Sequence, residues 1–451
     1  MRSSALIGLV VLGCGGGGGG GGGGDAAPSG DGGPTIDAPP PGTPLDQRLS
    51  VKTITAPAGV MAGDSNWRIW TRASLRVAPV FTVPTAGCGT LVGYTTGTSS
   101  PTARVAVLDE GDQLVTTYDL GAFELRGLAA EPDGHFAALL WDATVSPAVL
   151  HVQRFDATGA AGTSTSLADA LAAPTDFGIG ESRLEYGGGK YGAYFHVHGI
   201  SGFAMGHEGD ALHWVDAATG AKTTGWAWGC SHSMSELLRY DGTGFLSACV
   251  TDCYPGTSGT NFATSSIGGV YLDKARKVID VDAGCNGSVA GELGGLTPAS
   301  AGWRLVFNAH QAPATMGQSS YTTSTMNQDI AFASIAANQS STLVWLTTTS
   351  SINEQNSTIA RWKPSGDETE QYVVGWVEPG SAAKYKLAVV SPDGGIVAAP
   401  IDVPAKWGER DDPFRVQAND DVVWSWFEAA GATSFSFARL SSGRTAQCNT
   451  M

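Results

Sequence analysis

Histidines are concentrated in the middle of the chain, in a pattern that metal sites of β-proteins use. Six of the eight lie in residues 196–310: His196, His198, His207, His213, His232 and His310. The spacing His196-x-His198 places two imidazoles on the same side of a strand, and a third ligand from His207, Glu208 or Asp210 would complete a zinc-type site. The competing interpretation is structural: the same histidines would cap strands and hydrogen-bond to Asp or backbone groups between sheets.

One serine lies beside a histidine, in Gly229-Cys230-Ser231-His232-Ser233, as in the nucleophile elbow of hydrolases. The final glycine of that motif is missing. Adjacent residues of a strand also point to opposite faces, so Ser231 and His232 would not pair. The sequence therefore predicts no catalytic residue and no cofactor, and it leaves open whether the protein is an enzyme.

Aromatic residues lie close to the histidine-rich segment. Trp226-Ala-Trp228 and Tyr254 are expected at turns, where aromatic faces beside hydrogen-bonding groups suit sugars or peptide side chains. The predicted ligand-binding surface combines these aromatic residues with the polar residues around them: His198, His207, Glu208, Asp210, Trp228, His232, Asp252, Tyr254 and His310.

The elements that must position these residues are short strands separated by tight turns. Charged residues make up 15% of the chain and glycines number 62, a composition unfavourable for long surface helices. From Leu45 onward a pair of strands recurs about every 50 residues. The first strand of each pair is predicted at Gly89–Tyr94, His135–Trp141, Tyr191–Phe195, Gly244–Cys249, Trp303–Phe307, Tyr372–Trp376 and Val422–Phe427.

Seven copies predict an all-β fold, a seven-bladed β-propeller. One blade alone cannot bury both faces of its sheet, whereas blades packed radially bury each other. Arg48–Ile54 is a strand-like segment without a blade, and we predict that it completes the last blade and closes the ring. A pair of β-sandwiches or an irregular β-solenoid is the alternative. In a propeller, the connections leaving these first strands share a face with the connections between blades, which would gather the histidines in one sector.

The first residues predict export. Met1-Arg2 is basic, and Ala5–Leu12 is too short an apolar run to span a bilayer. Val11-Leu12-Gly13-Cys14 resembles the lipobox of bacterial lipoproteins, although Val11 and Leu12 are not its commonest residues. The resemblance implies a signal peptide over residues 1–13 and a lipidated Cys14; an ordinary secretory leader is the alternative. Ten glycines and a Pro-rich stretch make residues 14–44 a disordered tether, and residues 45–451 form the propeller domain.

Six cysteines remain once Cys14 is assigned to lipid. An even number in an exported chain predicts three disulfides, whose pairing the sequence does not specify. A zinc site at Cys249-x-x-x-Cys253 is the competing interpretation. The predicted disulfide cysteines are Cys88, Cys230, Cys249, Cys253, Cys285 and Cys448.

Leu45–Met451 as a whole resembles the seven-bladed propellers of secreted lipoproteins from bacteria such as myxobacteria, on its repeat period and blade-like strands. The resemblance implies an outer-membrane, lipid-anchored monomer. Our first functional hypothesis is a non-catalytic binding or scaffold propeller for a glycan, peptide or protein partner. The alternatives are an extracellular metal-dependent hydrolase or lyase acting on a polymer, and an envelope component without a specific ligand. A net charge of −16 makes nucleic acid an unsuitable partner.

Overall fold

The computed structural model describes residues 42–63, 77–97, 100–142, 144–145, 148–167, 178–198, 209–230, 235–251, 269–274, 276–280, 291–309, 311, 327–408 and 412–445. Several residues singled out in the sequence lie outside these ranges: Cys14, His207, Glu208, His232, Asp252, Cys253, Tyr254, Cys285, His310 and Cys448. Within these ranges, no helix has the length and apolar character needed to cross a membrane.

The described residues form seven antiparallel sheets of four strands each. Blade 1 contains β2 (Phe81–Pro84), β3 (Thr90–Thr96), β4 (Thr102–Leu108) and β5 (Leu114–Gly121); blade 2 contains β6 (Glu124–Ala130), β7 (Phe136–Asp142), β8 (Val149–Phe155) and β9 (Ala161–Ser166). Blade 3 contains β10 (Gly178–Gly187), β11 (Lys190–His198), β12 (Gly209–Asp216) and β13 (Lys222–Gly229); blade 4 contains β14 (Glu236–Tyr240), β15 (Phe245–Thr251), β16 (Gly269–Leu272) and β17 (Arg276–Asp280).

The remaining blades follow the same plan. Blade 5 contains β18 (Gly291–Pro298), β19 (Trp303–Ala309), β20 (Asp329–Ile335) and β21 (Ser341–Trp345); blade 6 contains β22 (Gln355–Trp362), β23 (Gln371–Glu378), β24 (Lys384–Val390) and β25 (Ile396–Val403). Blade 7 contains β26 (Arg415–Val416), β27 (Val422–Trp426), β28 (Ser434–Leu440) and, as its outermost strand, β1 (Leu49–Thr55). The first strand predicted for each repeat corresponds to the second strand of a blade.

The blades pack side by side in a closed ring. Each innermost strand contacts the innermost strand of the next blade, and β26 contacts β2. Seven clusters of buried side chains lie between neighbouring blades, one at each junction. At the junction of blades 7 and 1, for example, the ring of Tyr94 lies 5.2 Å from that of Phe427 and 6.0 Å from that of Phe435. Each large side chain buried in this way contributes about 1.5–3 kcal/mol, so the sheets stabilise one another as the repeats predict.

The strand that precedes the blades closes the ring. Leu49 lies opposite Leu440, and Thr55 lies opposite Ser434 along the β1–β28 ladder. A short 3₁₀ helix, Leu45–Arg48, leads into β1, and the Arg48 guanidinium donates to the carbonyl of Ser442 at 3.1 Å. The predicted closing strand, Arg48–Ile54, is thereby confirmed.

The strand order divides the connections between two faces. We call the turn face the one that carries the connections from first to second and from third to fourth strands. We call the crossover face the one that carries the connections from second to third strands and from blade to blade. On the turn face, Asp156 Oδ1 accepts from the backbone N–H of Thr158 at 2.8 Å and of Ala160 at 2.9 Å, and Gly159 adopts φ +81°. Such local bonds close a turn within a few residues.

Candidate functional site

A cleft of about 620 Å³ opens on the crossover face where blades 6 and 7 meet. Five segments line it: Val77–Val80 before β2, the first residues of β22, the β23–β24 connection, Lys406–Gly408 after β25, and Trp426–Glu428 at the end of β27. All five belong to crossover-face connections or to the strand ends beside them. We call it the blade 6/7 cleft; its volume is typical of small-molecule sites.

Trp407 fixes the wall between the two blades. Its side chain is 3% exposed, and its ring lies 4.9 Å from Tyr385, 5.4 Å from Phe414 and 6.4 Å from Trp424 in edge-on contacts. Its indole N–H donates to the backbone carbonyl of Asn356 at 2.9 Å. This residue therefore ties the connection after blade 6 to the innermost strand of that blade.

Two side-chain amides lie at the start of β22. The β22–β23 register shifts between Gln355 and Thr358, and Asn356 has φ +50°, a left-handed conformation that Asn tolerates better than most residues. A register shift of this kind re-aims side chains and is frequent beside binding sites. Gln355 and Asn356 are half-buried, and neither side-chain amide hydrogen-bonds to another residue among those described. Both amides are therefore available to a ligand.

One ion pair lies at the cleft. Lys406 Nζ is 2.6 Å from Glu428 Oε2, and both side chains are about half exposed. The hydrogen bond from Lys406 lowers the pKa of Glu428; burial opposes this, and the Trp426 indole N–H, which donates to Oε1 at 2.9 Å, reinforces it. Lys406 and Glu428 are the charged residues among the described residues of the lining, so their charges cancel there.

The connection that carries Trp407 also reaches the centre of the ring. Asp412 is fully buried and its carboxylate accepts from Arg239 of β14, while Arg415 Nη1 lies 3.4 Å from Asp412 Oδ2. Blades 4 and 7 are not neighbours, so this bond crosses the central axis. Glu185 of β10 lies 3.5 Å from Arg239 and joins blade 3 to the same group. One connection thus lines the cleft and holds opposite sides of the ring together.

The histidine-rich sector contains a second polar group, at the junction of blades 3 and 4. Asp210 is fully buried: its carboxyl accepts from the hydroxyl of Tyr194 and, at 3.0 Å, from the indole N–H of Trp226. Burial raises the pKa of Asp210 to about 8; the hydrogen bond from Tyr194 opposes this and the charge of Glu236 adds to it. His196, 1% exposed, has Nδ1 3.6 Å from Glu236 Oε1 of the next blade. We call these five residues the Asp210 cluster.

The Asp210 cluster shows the surroundings of His196, one of the residues considered for a metal site. His196 lies beside an acidic residue of the neighbouring blade, and the Asp210 carboxyl is occupied by two protein donors. A carboxylate oxygen of Asp210 lies within 4.8 Å of the sulfurs of Cys230 and Cys249, but these two form a disulfide and offer no thiolate.

The Cys230–Cys249 disulfide joins the residue after β13 of blade 3 to β15 of blade 4. It excludes the zinc interpretation of Cys249 and Cys253, because the Cys249 sulfur is already bonded. Cys88 also takes part in a disulfide.

Two other predicted residues are described through their backbone alone. His198 ends β11, and Trp228 lies in β13, the outermost strand of blade 3. The expectation that Trp226 and Trp228 lie at a turn is therefore wrong. The segment Lys222–Gly229 pairs with β12, since its threonines and tryptophans favour a strand. The sequence analysis did not single out Gln355, Asn356, Lys406, Trp407 or Glu428. The available signal was Trp407 itself, a tryptophan in a charged segment outside any predicted strand.

No protein-family model and no curated protein sequence matches this chain. Among solved structures it is similar to the Dos1 propeller, at 12% identity and a TM-score of 0.43, over 86% of this chain and 94% of that one. It is also similar to the β-propeller domain of the trilobed protease from Pyrococcus furiosus, at 9% identity and a TM-score of 0.41, over 82% and 94% of the two chains. A Pyrococcus horikoshii acylaminoacyl peptidase aligns at 9% identity and a TM-score of 0.41 over 81% of this chain, which spans 50% of the peptidase. These similarities concern the fold alone. The seven four-stranded blades seen in the structure of this chain make it a β-propeller.

Proposed function

We propose that this protein is a lipoprotein of the bacterial outer membrane, anchored through Cys14, whose propeller is a non-catalytic binding module. The apolar leader, the lipobox-like Val11–Cys14 and the glycine tether support the anchor. As a flexible chain of about 30 residues, the tether reaches on the order of 30 Å. The partner is a glycan, a peptide or a protein met outside the membrane.

The position of the chain's entry into the propeller carries this proposal. Gly42–Arg48 leads into β1 at the end where Leu49 pairs with Leu440, which is the turn face. Arg48 holds this segment through a 3.1 Å bond to the carbonyl of Thr43 and through the Ser442 carbonyl. The blade 6/7 cleft opens on the crossover face. The chain thus enters the propeller on the face opposite the cleft, and the entering segment Gly42–Arg48 is not part of the cleft lining.

The chemistry of the cleft supports binding in preference to bond cleavage. Glycoside hydrolysis, for example, uses a pair of carboxyl groups on either side of the bond. Among the described residues that line the cleft there is a single carboxylate, Glu428, which is paired with Lys406. On the same face, the Asp210 carboxyl is hydrogen-bonded inside the protein.

Lipidation is tested by growing cells that express the full chain with radiolabelled palmitate. The wild-type protein is expected to carry the label and to sediment with the outer membrane, and Cys14→Ala is expected to lose both properties. A wild-type protein that stays unlabelled and soluble, or a Cys14→Ala variant that keeps its label, would refute the anchor.

Elemental analysis of the purified protein separates the binding module from the metal-dependent alternative. A binding module is expected to hold no stoichiometric transition metal. One zinc per chain, lost on alanine substitution of His198, would instead establish a metal site in the histidine-rich sector and favour the hydrolase or lyase.

A further inference from the structure

We propose that the blade 6/7 cleft binds a short, neutral oligosaccharide. This names the ligand class for the binding module proposed above and depends on that function only in that the propeller binds a ligand. Three properties of the lining support it: free amides, a cancelled charge and an apolar wall. The neighbouring strands add a fourth argument, against a peptide.

The amides of Gln355 and Asn356 match sugar hydroxyls. Each amide both donates and accepts hydrogen bonds, and each hydroxyl does the same. The two amides are half-buried and make no hydrogen bond to other described residues, so a ligand gains their bonds without displacing a protein partner. The Trp407 indole N–H donates to the backbone carbonyl of Asn356 at 2.9 Å. This bond holds the backbone at Asn356 in place, which reduces the conformational entropy lost when a ligand binds.

Charge selects a neutral ligand. Lys406 Nζ and Glu428 Oε2 lie 2.6 Å apart, so the described part of the lining offers no uncompensated partner to a cationic or an anionic ligand. The chain as a whole carries a formal charge of −16, which further disfavours anionic polymers. Glu428 can still accept a hydroxyl hydrogen bond with its carboxylate.

The opposite wall of the cleft is apolar. Tyr385 is half-buried with its ring edge-on to Trp407, and Val77 and Pro379 also line the cleft. A sugar ring has a polar rim and a C–H face, and aromatic or aliphatic walls contact that face while amides bind the rim. A purely apolar ligand would leave both amides without partners.

The strands bordering the cleft disfavour an extended peptide. Peptides that bind along a sheet gain their affinity from main-chain bonds to an open strand edge. β23 is paired with β22 and β24, and β27 is paired with β26 and β28, so neither offers such an edge. β22 is paired on one side, with β23, but only its first two residues, Gln355 and Asn356, line the cleft. A ligand in the cleft meets strand ends and side chains instead.

The test uses the purified full chain and isothermal titration calorimetry with a panel of short neutral oligosaccharides built from hexose or N-acetylhexosamine units. At least one is expected to bind saturably, and Gln355→Ala is expected to weaken it about tenfold, the effect of losing one or two hydrogen bonds. Asn356→Gly keeps the left-handed backbone accessible while removing the amide, and is expected to weaken binding similarly. Gln113→Ala, the matched control on the turn face, is expected to leave binding unchanged.

Three outcomes overturn the assignment. One is the absence of saturable binding by any oligosaccharide of the panel. Another is sugar binding that the two cleft variants leave unchanged, which moves the site elsewhere. The third is saturable binding of an extended peptide that the cleft variants abolish while no sugar binds. Each is measured on the purified chain, so a failure here is separate from a failure of the palmitate experiment, which tests the anchor.

Discussion

The blade 6/7 cleft and the Asp210 cluster are both polar groups between neighbouring blades, yet they differ in where their hydrogen bonds go. In the Asp210 cluster, the hydroxyl of Tyr194 and the indole N–H of Trp226 both donate to one buried carboxyl. In the cleft, the amides of Gln355 and Asn356 are half-buried and make no hydrogen bond to described residues. One group satisfies itself inside the protein; the other is left for a ligand.

The difference shows why residue type alone did not find the site. Histidines and carboxylates are common in catalytic and metal sites, but in this propeller they also lie between blades. His196 Nδ1 of blade 3, for example, is 3.6 Å from Glu236 Oε1 of blade 4. Glutamine and asparagine attract less attention, yet they form the polar lining of the open cleft. Hydrogen-bond satisfaction, which only a structure shows, distinguishes the two cases.

The largest expected effect tests whether Trp407 builds the cleft. Trp407→Ala removes a ring that is 3% exposed and leaves the Asn356 carbonyl without its donor, so we expect a loss of about 3–5 kcal/mol in the free energy of unfolding. Trp345→Ala is the matched control: its half-buried ring packs on Phe307 at 6.4 Å and its indole N–H makes no described hydrogen bond. Urea denaturation compares the two. Equal losses in the free energy of unfolding would mean that the Trp407 hydrogen bond and ring contacts add no stability beyond what the half-buried Trp345 contributes.

A smaller effect is expected when blades 3 and 4 lose their covalent link. The Cys230–Cys249 disulfide closes a loop with a sequence separation of 19, which corresponds to about 3 kcal/mol of stabilisation. The double variant Cys230→Ala/Cys249→Ala removes the link without leaving a free thiol in its place. We expect lower stability in urea but unchanged oligosaccharide affinity, because the cleft lies at another junction of the ring. A loss of affinity equal to that of Gln355→Ala would mean that the two regions are coupled.

Much of the fold could be predicted because its signal is local and repeated. Strands such as Tyr372–Trp376 are apolar on both faces and recur seven times, which predicts the number of blades. The Arg48–Ile54 segment has no blade of its own, which predicts that it completes the last one. The outermost strands were harder to identify: Ala161–Ser166 is almost entirely exposed and lacks the apolar residues that mark its neighbours.

The cleft could not be predicted, because its lining comes from five segments spread between Val77 and Glu428. The left-handed Asn356 and the Trp407 bond that supports it depend on packing between blades, which leaves no periodic pattern in the sequence. His196 and Asp210 lie opposite each other in neighbouring strands of blade 3, a pairing that the sequence analysis did not specify. The burial of the Asp210 cluster was not predicted, because Tyr194 lies in an ordinary apolar strand and Trp226 was expected at an exposed turn.

The pH dependence of stability tests whether the Asp210 carboxyl is buried and protonated in the folded protein. Burial raises the pKa of Asp210 to about 8, above its usual value of 3.8, so the folded state holds a proton that the unfolded state releases. Stability should therefore fall as the pH rises from about 4 to about 8, by up to about 1.4 kcal/mol per pH unit from this group. Asp210→Asn cannot ionise and should remove that part of the slope, measured by urea denaturation at several pH values. An identical slope in the variant would mean that Asp210 is ionised in the folded protein.

The smallest effect on stability is expected at the ion pair of the cleft, where the comparison predicts a role in ligand selection rather than in folding. Lys406 and Glu428 are about half exposed, so solvent screens their attraction, and Lys406→Met should change the free energy of unfolding by no more than about 0.5 kcal/mol. The same variant leaves Glu428 as an uncompensated charge in the lining that also holds the two amides, which should weaken the binding of a neutral ligand and allow a cationic one to bind. The exchanged pair Lys406→Glu/Glu428→Lys restores neutrality and should recover part of the affinity for the neutral oligosaccharide. If Lys406→Met lowers stability as much as the disulfide variant does, the ion pair stabilises the ring instead of selecting a ligand. The cleft would then be, like the Asp210 cluster, a polar group that serves the fold.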